Sequence, residues 1–223
     1  MTLGVYALVS PAPRRVGVTG IAGERLRVVT VGGVSAIVGD LARARRPTEA
    51  NLRKYDVVMR TLARDSAALL PARFGTQFRD LDELSLVLQS RQPSLGRLLR
   101  HVRHRAQITI RMVVPAAGPS VTPSGSRRPS GLRATGSSYL KRLAAEAAQA
   151  REIPGFDPVR AAVRRWVRDE RIERQANVAS VYHLIPRSSV DAYRAALDRA
   201  AHTTGLDMRV SGPWPPYAFT TSF

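Results

Sequence analysis

The sequence contains no cysteine, few aromatic residues and almost no lysine. Without thiols the chain cannot form disulfides, thiolate nucleophiles or cysteine-based zinc sites. No apolar run approaches the roughly 18 residues of a membrane-spanning helix, and the amino-terminal apolar stretch has no basic region before it, as a secretory signal would. We therefore expect a cytoplasmic protein without a membrane span.

Catalytic and cofactor-binding motifs are also missing. The sequence has neither a phosphate-binding G-x-x-x-x-G-K-[ST] loop nor a G-x-S-x-G nucleophile elbow. His101 and His104 would share one face of a helix, but three arginines surround them and make a poor cation site. His183 lies in an apolar strand, where a hydrogen-bonded structural role is typical. The sequence thus predicts no enzyme, no cofactor and no metal site.

The positive charge is the strongest feature of the composition. The chain carries 35 basic and 17 acidic residues, a net charge of +18, and all the basic residues except Lys54 and Lys141 are arginine. Such a charge attracts acidic partners without specifying a fold. A helix predicted over 157–174 would place four arginines on one side, namely Arg160, Arg164, Arg168 and Arg171. A solvated face is the simpler interpretation, and a basic nucleic-acid-binding α+β module is the alternative function.

Residue patterns predict a β-β-β-α-α-β order for the first half of the chain. Residues 4–10 form one predicted strand, and residues 25–39 form two strands joined at Gly32-Gly33. A helix is predicted from a Thr48 cap to about Ser66, with an apolar face of Leu52, Tyr55, Met59 and Leu62. A second helix starts near Asp80 and is expected to be interrupted at Pro93. A strand over 107–114 follows.

The second half is predicted to be a separate domain. Residues 115–137 are rich in proline, glycine and serine, which is typical of a linker. Beyond it the patterns indicate helices over 138–150 and 157–174, a strand over 177–186, a helix ended by Gly205 and a last strand. The predicted fold class is α+β, with domains at 1–114 and 138–223 in which helices cover one face of an antiparallel sheet.

The chain ends in an apolar segment of unusual composition. Residues 211–219, SGPWPPYAF, which we name the C-terminal strap, contain three prolines and three aromatic residues. The prolines favour a stiff extended backbone, and the aromatic rings are too apolar for a free tail. We expect Trp214 and Tyr217 to pack on the second domain or the interdomain cleft, and a partner-binding tail is the alternative.

An interior segment, LLPARFGTQF at 69–78, combines apolar residues with two chain-turning residues. Pro71 and Gly75 would let the chain leave a strand and turn, with Leu70 and Phe74 buried. Arg73, held between them, is expected to pair with a buried carboxylate or carbonyl, or to contact a partner.

These segments together resemble the GvpL/GvpF family of gas vesicle proteins. The chain matches its Leu-Pro-x-Arg-Phe-Gly-Thr motif at 70–76, its Gly-x-x-Tyr-Leu motif at 136–140 and its Gly-Pro-Trp-Pro-Pro-Tyr-x-Phe motif at 212–219. The resemblance implies a cytoplasmic accessory or minor structural protein of gas vesicles, whose first domain is a modified ferredoxin-like fold. It also implies a role in vesicle nucleation or assembly, through contact with the small hydrophobic shell protein and with other accessory proteins.

The matched motifs supply the candidate structural or partner-contact residues, and the resemblance brings no catalytic residue and no cofactor. These candidates are Leu70, Pro71, Arg73, Phe74, Gly75, Tyr139, Gly212, Pro213, Trp214, Pro215, Pro216, Tyr217 and Phe219.

Overall fold

The computed structural model describes residues 2–114 and 153–220, and the chain divides into two compact units. The first unit consists of Met1–Ile108, Leu184–Ser188 and Gly212–Phe223, and the second of Thr109–His183 and Ser189–Ser211. The units are therefore not continuous in sequence. The predicted linker and the helix predicted over 138–150 lie outside the described residues, and the domain limits at 114 and 138 stay a prediction.

The first unit is built on an antiparallel sheet of five strands. The strands are β1 (Thr2–Ser10), β2 (Leu26–Val31), β3 (Val34–Leu41), β4 (Ala68–Pro71) and β5 (Gln77–Phe78). Their order is β2-β3-β1-β4, and β5 also pairs with β1. The central strand β1 is buried on both faces, from Leu3 to Val9. The predicted hairpin is confirmed, because Gly32 and Gly33 link β2 to β3 with φ of 55° and 80°.

Two capped helices belong to this unit, α1 (Glu49–Asp65) and α2 (Leu81–Val102). The Thr48 side chain accepts the Asn51 N–H at 3.3 Å, which confirms the predicted cap of α1. The Asp80 carboxylate accepts the Glu83 N–H at 2.9 Å at the start of α2. The predicted apolar face of α1 is correct except for Leu52, which is exposed, and its buried residues are Tyr55, Val58, Met59 and Leu62.

The predicted interruption at Pro93 is wrong, because α2 is one continuous helix of 22 residues that includes Pro93. Proline removes one hydrogen bond to the carbonyl four residues earlier, which here belongs to Gln89. Both Pro93 and Gln89 are exposed, so water can solvate the freed carbonyl. The buried leucines on either side, Leu88 and Leu95, keep the helix packed against the sheet.

A second sheet contains the remaining strands, in the order β7-β8-β6-β9. These are β6 (Arg105–Val113), β7 (Asp169–Gln175), β8 (Val178–Pro186) and β9 (Met208–Trp214). Two further helices are α3 (Asp157–Val163) and α4 (Val190–Thr204). As predicted, Gly205 ends α4 in the left-handed conformation, with φ of 67°. The predicted α+β class is confirmed, with two sheets.

The helix predicted over 157–174 is wrong beyond Val163. Residues 169–175 form β7 instead, and Ala176, with φ of 52°, helps to turn the chain into β8. Pairing with β8 overrides the helical propensity of the charged residues in this stretch. The four arginines therefore do not line one helix face, because Arg160 lies on α3 and Arg171 on β7.

A buried polar network lies within the second unit around His183, which is completely buried. Its Nδ1 is 2.6 Å from the Tyr193 hydroxyl, and its Nε2 is 2.8 Å from the Glu170 carboxylate. The same carboxylate accepts a hydrogen bond from Arg160 Nε at 3.2 Å. The hydrogen bonding predicted for His183 is confirmed, and the residue is fully buried.

Glu170→Gln should lower the stability of the folded chain in a pH-dependent way. The hydrogen bond from His183 lowers the pKa of Glu170 below its ordinary value of 4.5, with Arg160 adding to the effect and burial opposing it. A lowered folded-state pKa adds stability above the unfolded pKa, and this stability is lost as the pH falls through the folded pKa. We expect a loss of about 2 kcal/mol near neutral pH in urea unfolding.

Glu173→Gln is the matched control, because Glu173 is an exposed residue on the same strand and accepts a hydrogen bond from the Tyr182 hydroxyl at 2.8 Å. It should cost little. A Glu170→Gln deficit that stays constant down to about pH 3 would contradict a role for the ionised carboxylate.

Candidate partner-contact site

The interior motif forms a tight turn at the end of β4. Leu70 and Pro71 are buried in that strand, and Pro71 pairs with Ala7 of β1. The backbone N–H and hydroxyl of Thr76 both donate to the Arg73 carbonyl, at 3.0 and 2.8 Å. Gly75 has φ of 83°, a conformation that L-residues rarely adopt. The predicted turn is thus present, and its backbone is fixed at both ends.

Two side chains of this turn differ from their expected environment. Phe74 is half-buried rather than buried, because the turn lies at the surface, and its ring meets Tyr55 edge-on at a centroid distance of 5.5 Å. Arg73 is exposed. No hydrogen bond or ion pair joins its guanidinium to another residue of the described part of the chain, so the expected pairing with a buried group is wrong.

Tyr55 of α1 connects this turn to the core. Its hydroxyl donates to the Ala72 carbonyl and lies 3.3 Å from the Tyr6 carbonyl. The Ala72 N–H in turn donates to the Tyr6 carbonyl at 2.8 Å. The ring stacks on Tyr6 at 6.0 Å, and burial raises the pKa of the Tyr55 hydroxyl. The sequence predicted Tyr55 on the apolar face of α1 but did not predict this hydrogen bond. The signal that could have indicated it was a tyrosine hydroxyl among apolar residues.

The C-terminal strap is packed, as predicted, but on the first unit. Phe219 is completely buried and Pro215 and Pro216 are buried, while Tyr217 packs against the cluster that contains Tyr55. The Trp214 ring faces the Arg60 guanidinium of α1 at 4.6 Å. Of the two predicted locations, the second domain is wrong, since α1 and this cluster belong to the first unit, and the interdomain cleft stays a prediction.

Gln107 of β6 lies close to both ends of the strap. The Ala218 N–H donates to its side-chain oxygen at 2.7 Å. Gly212 has φ of 117°, and a Cβ at this position would lie 2.7 Å from the Gln107 carbonyl oxygen. Only glycine therefore fits at the start of the strap. Pro213, which follows through a cis peptide bond, is exposed.

The remaining candidates bring no further site together. Tyr139 lies outside the described residues. The two histidines predicted to share a helix face do not, because His104 follows the end of α2 and has φ of 54°. Within residues 2–114 and 153–220, no group of three or more histidine and acidic side chains could hold a metal ion, and no helix is long and apolar enough to span a membrane.

Gly212→Ala should destabilise the docked strap. The new methyl group would meet the Gln107 carbonyl, and the positive φ would be strained, at a cost of about 1–3 kcal/mol. Gly17→Ala is the control, because a Cβ there meets no atom within 4 Å and the backbone has no positive φ. Thermal unfolding that is equal for both variants would contradict the docking of the strap.

Comparison with known proteins identifies the family of the chain. The family model described as gas vesicle synthesis protein GvpL/GvpF matches residues 3–221. Gas vesicle protein F of a Streptomyces species is 27% identical over 225 aligned residues, covering 93% of this chain and 92% of its relative. Gas vesicle protein F2 of Halobacterium salinarum is 25% identical, covering 91% of this chain and 83% of the relative.

Solved structures show the same fold at lower sequence identity. The crystal structure of GvpF from Anabaena superposes with a TM-score of 0.74 at 15% identity, covering 100% of this chain and 97% of that one. GvpF from Microcystis aeruginosa gives a TM-score of 0.71 at 15% identity, with 98% of each chain covered. With the model match over nearly its whole length, the chain belongs to the GvpL/GvpF family of gas vesicle proteins.

Proposed function

We propose that this protein is a non-catalytic accessory or minor structural component of gas vesicles that acts in the cytoplasm. In this proposal it contacts the small hydrophobic shell protein during nucleation or assembly of the vesicle, together with other accessory proteins. The support is the family membership and the gas vesicle names of its relatives. The surface that we assign to the shell protein is the one on which two family motifs meet.

The observation that carries this proposal is the convergence of two motifs that are far apart in the sequence. Phe74 of the interior turn and Tyr217 of the strap both pack against one buried cluster, which includes Tyr55 and Tyr6. A turn that serves only to fill the core does not need an exposed charged side chain. Here Arg73 extends from the turn into solvent.

Arg73 lies on a turn whose backbone is already fixed before a partner binds. The turn that carries it is held by the two Thr76 bonds to its carbonyl and by the Tyr55 bond to Ala72. Binding through a fixed backbone loses little conformational entropy, so more of the contact energy contributes to affinity. A guanidinium can donate to carbonyl or carboxylate oxygens of a partner.

The side of α1 that carries Arg60 lies beside Trp214 of the strap. Val57 is 61% exposed, and Arg60, three residues later on the same side of the helix, faces the Trp214 ring. A single exposed valine is common on soluble proteins. Beside a tryptophan and an arginine, it adds the apolar contact that a hydrophobic partner requires.

The alternative of a nucleic-acid-binding module loses one of the features that suggested it, the row of arginines along one helix. Four of the arginines in residues 157–174 were expected to lie along one side of a helix, and they are instead divided between α3, β7 and the residues between them. These four are Arg160, Arg164, Arg168 and Arg171. What remains in its favour is the net charge, which favours any acidic partner.

Arg73→Gln should weaken capture of purified shell protein by the immobilised full chain about tenfold, without changing the melting temperature. Val57→Ser should weaken it to a smaller degree. The measurement is biolayer interferometry at physiological salt, with thermal unfolding of each variant recorded alongside.

The matched controls are two exposed residues of α2, Arg97→Gln and Leu86→Ser, the latter 67% exposed before substitution. Both should bind shell protein like the unaltered chain. If Arg73→Gln also binds unchanged, the turn is not the contact surface, and equal weakening by all four variants would indicate non-specific capture.

A further inference from the structure

A groove in the first unit shares no lining residue with the surface on which the two family motifs meet, which we name the motif surface. It has a volume of about 1220 Å³ and runs between residues 13–19 and the beginning of β2. Four arginines line it: Arg14, Arg15, Arg25 and Arg27. Its one acidic lining residue, Asp40, already forms an ion pair with Arg27 at 3.1 Å. Within the described part of the chain, the other three arginines form no ion pair.

The groove follows the free edge of a sheet. β2 is the terminal strand of the order β2-β3-β1-β4, so its outer edge is opposite the β4 edge that carries the Arg73 turn. Among the described residues, the outer side of this strand region is paired only through the isolated antiparallel bridge between Thr19 and Arg25. An edge strand offers backbone N–H and C=O groups that can pair with another extended chain.

Apolar side chains form the floor of the groove. Val16, Val18 and Val28 are all partly buried, line the groove and pack against the core cluster of the first unit. A strand added along β2 would alternate its side chains between this floor and solvent. The arginines at the rim are placed for side chains of opposite charge.

We propose that the groove binds an extended acidic segment of a partner protein, which adds a strand to β2. Carboxylates of the segment would accept hydrogen bonds from Arg14, Arg15 and Arg25, and its apolar side chains would cover the valine floor. This surface is distinct from the one proposed for the shell protein, so the two proposals can fail independently.

The groove favours a polypeptide over a nucleic acid. Single-stranded nucleic acids are held by basic grooves that also contain aromatic side chains, on which the bases stack. None of the residues that line this groove is aromatic. A sugar-phosphate backbone, by contrast, cannot form the ladder of hydrogen bonds that an edge strand forms with another polypeptide strand.

We assign the occupant to another molecule, because the segments of this sequence outside the described part have the wrong charge. Residues 115–152, which lie outside the described part, carry six basic and two acidic residues in the sequence. Residues 221–223 carry no acidic side chain. A net charge of +18 likewise disfavours a second copy of the chain.

The test measures binding of a fluorescent peptide of alternating glutamate and valine to the full-length protein, by polarisation at physiological salt. The groove variant combines Arg14→Gln, Arg15→Gln and Arg25→Gln. The control variant combines Arg97→Gln, Arg164→Gln and Arg209→Gln, which are exposed, lie outside the groove and remove the same charge. We expect the groove variant to bind at least about tenfold more weakly and the control variant to bind as the unaltered chain does.

A second probe separates strand addition from charge attraction alone. The same peptide with N-methyl groups on alternate amides keeps every carboxylate but cannot pair along β2, and it should bind at least about tenfold more weakly. Equal weakening by the two triple variants, or unchanged binding of the N-methylated peptide, would overturn the proposal. A single-stranded oligonucleotide that binds the groove more tightly than the peptide would overturn it in favour of nucleic acid.

Discussion

The hydroxyl of Tyr55 is the contact on which the motif surface depends. It lies in a buried apolar cluster and donates to the Ala72 carbonyl, at the point where β4 ends and the Arg73 turn begins. A buried hydroxyl without a partner would cost about 1–3 kcal/mol, so α1 and the turn are fixed to each other. The same ring stacks on Tyr6 and meets Phe74 edge-on. One side chain thus joins the central strand, a helix and the turn.

The first unit presents chemically different surfaces from one rigid scaffold. Strand β1 is buried from Leu3 to Val9 and pairs with β3, β4 and β5, so the sheet holds its two edges in fixed positions. At the β4 edge the backbone of the turn is held by hydrogen bonds, and Arg73 is exposed. At the β2 edge the backbone is open, and arginines surround an apolar floor. Contact through side chains suits the first edge, and strand pairing suits the second.

Local signals in the sequence predicted most of the elements, and long-range contacts explain the errors. Glycine pairs, caps and apolar spacing depend on neighbouring residues, so the β2-β3 hairpin, α1 and the end of α4 were predictable. Residues 169–175 form a strand because β8 pairs with them, and no local pattern records that partner. The strap was recognisable as packed from its aromatic residues, yet its site on α1 depends on Gln107 and Arg60, which are distant in sequence. Resemblance to the family supplied the motifs, and the hydroxyl that joins them to the core emerged only in the structure.

The most direct test of a shared cluster is a double-mutant cycle between Phe74→Leu and Tyr217→Leu, measured by urea unfolding. If the turn and the strap pack on one cluster around Tyr55, the two substitutions should be coupled by at least about 0.5 kcal/mol. If the changes in the free energy of unfolding caused by the two substitutions add within about 0.3 kcal/mol, the two motifs are independent. That result would contradict a single surface built from both.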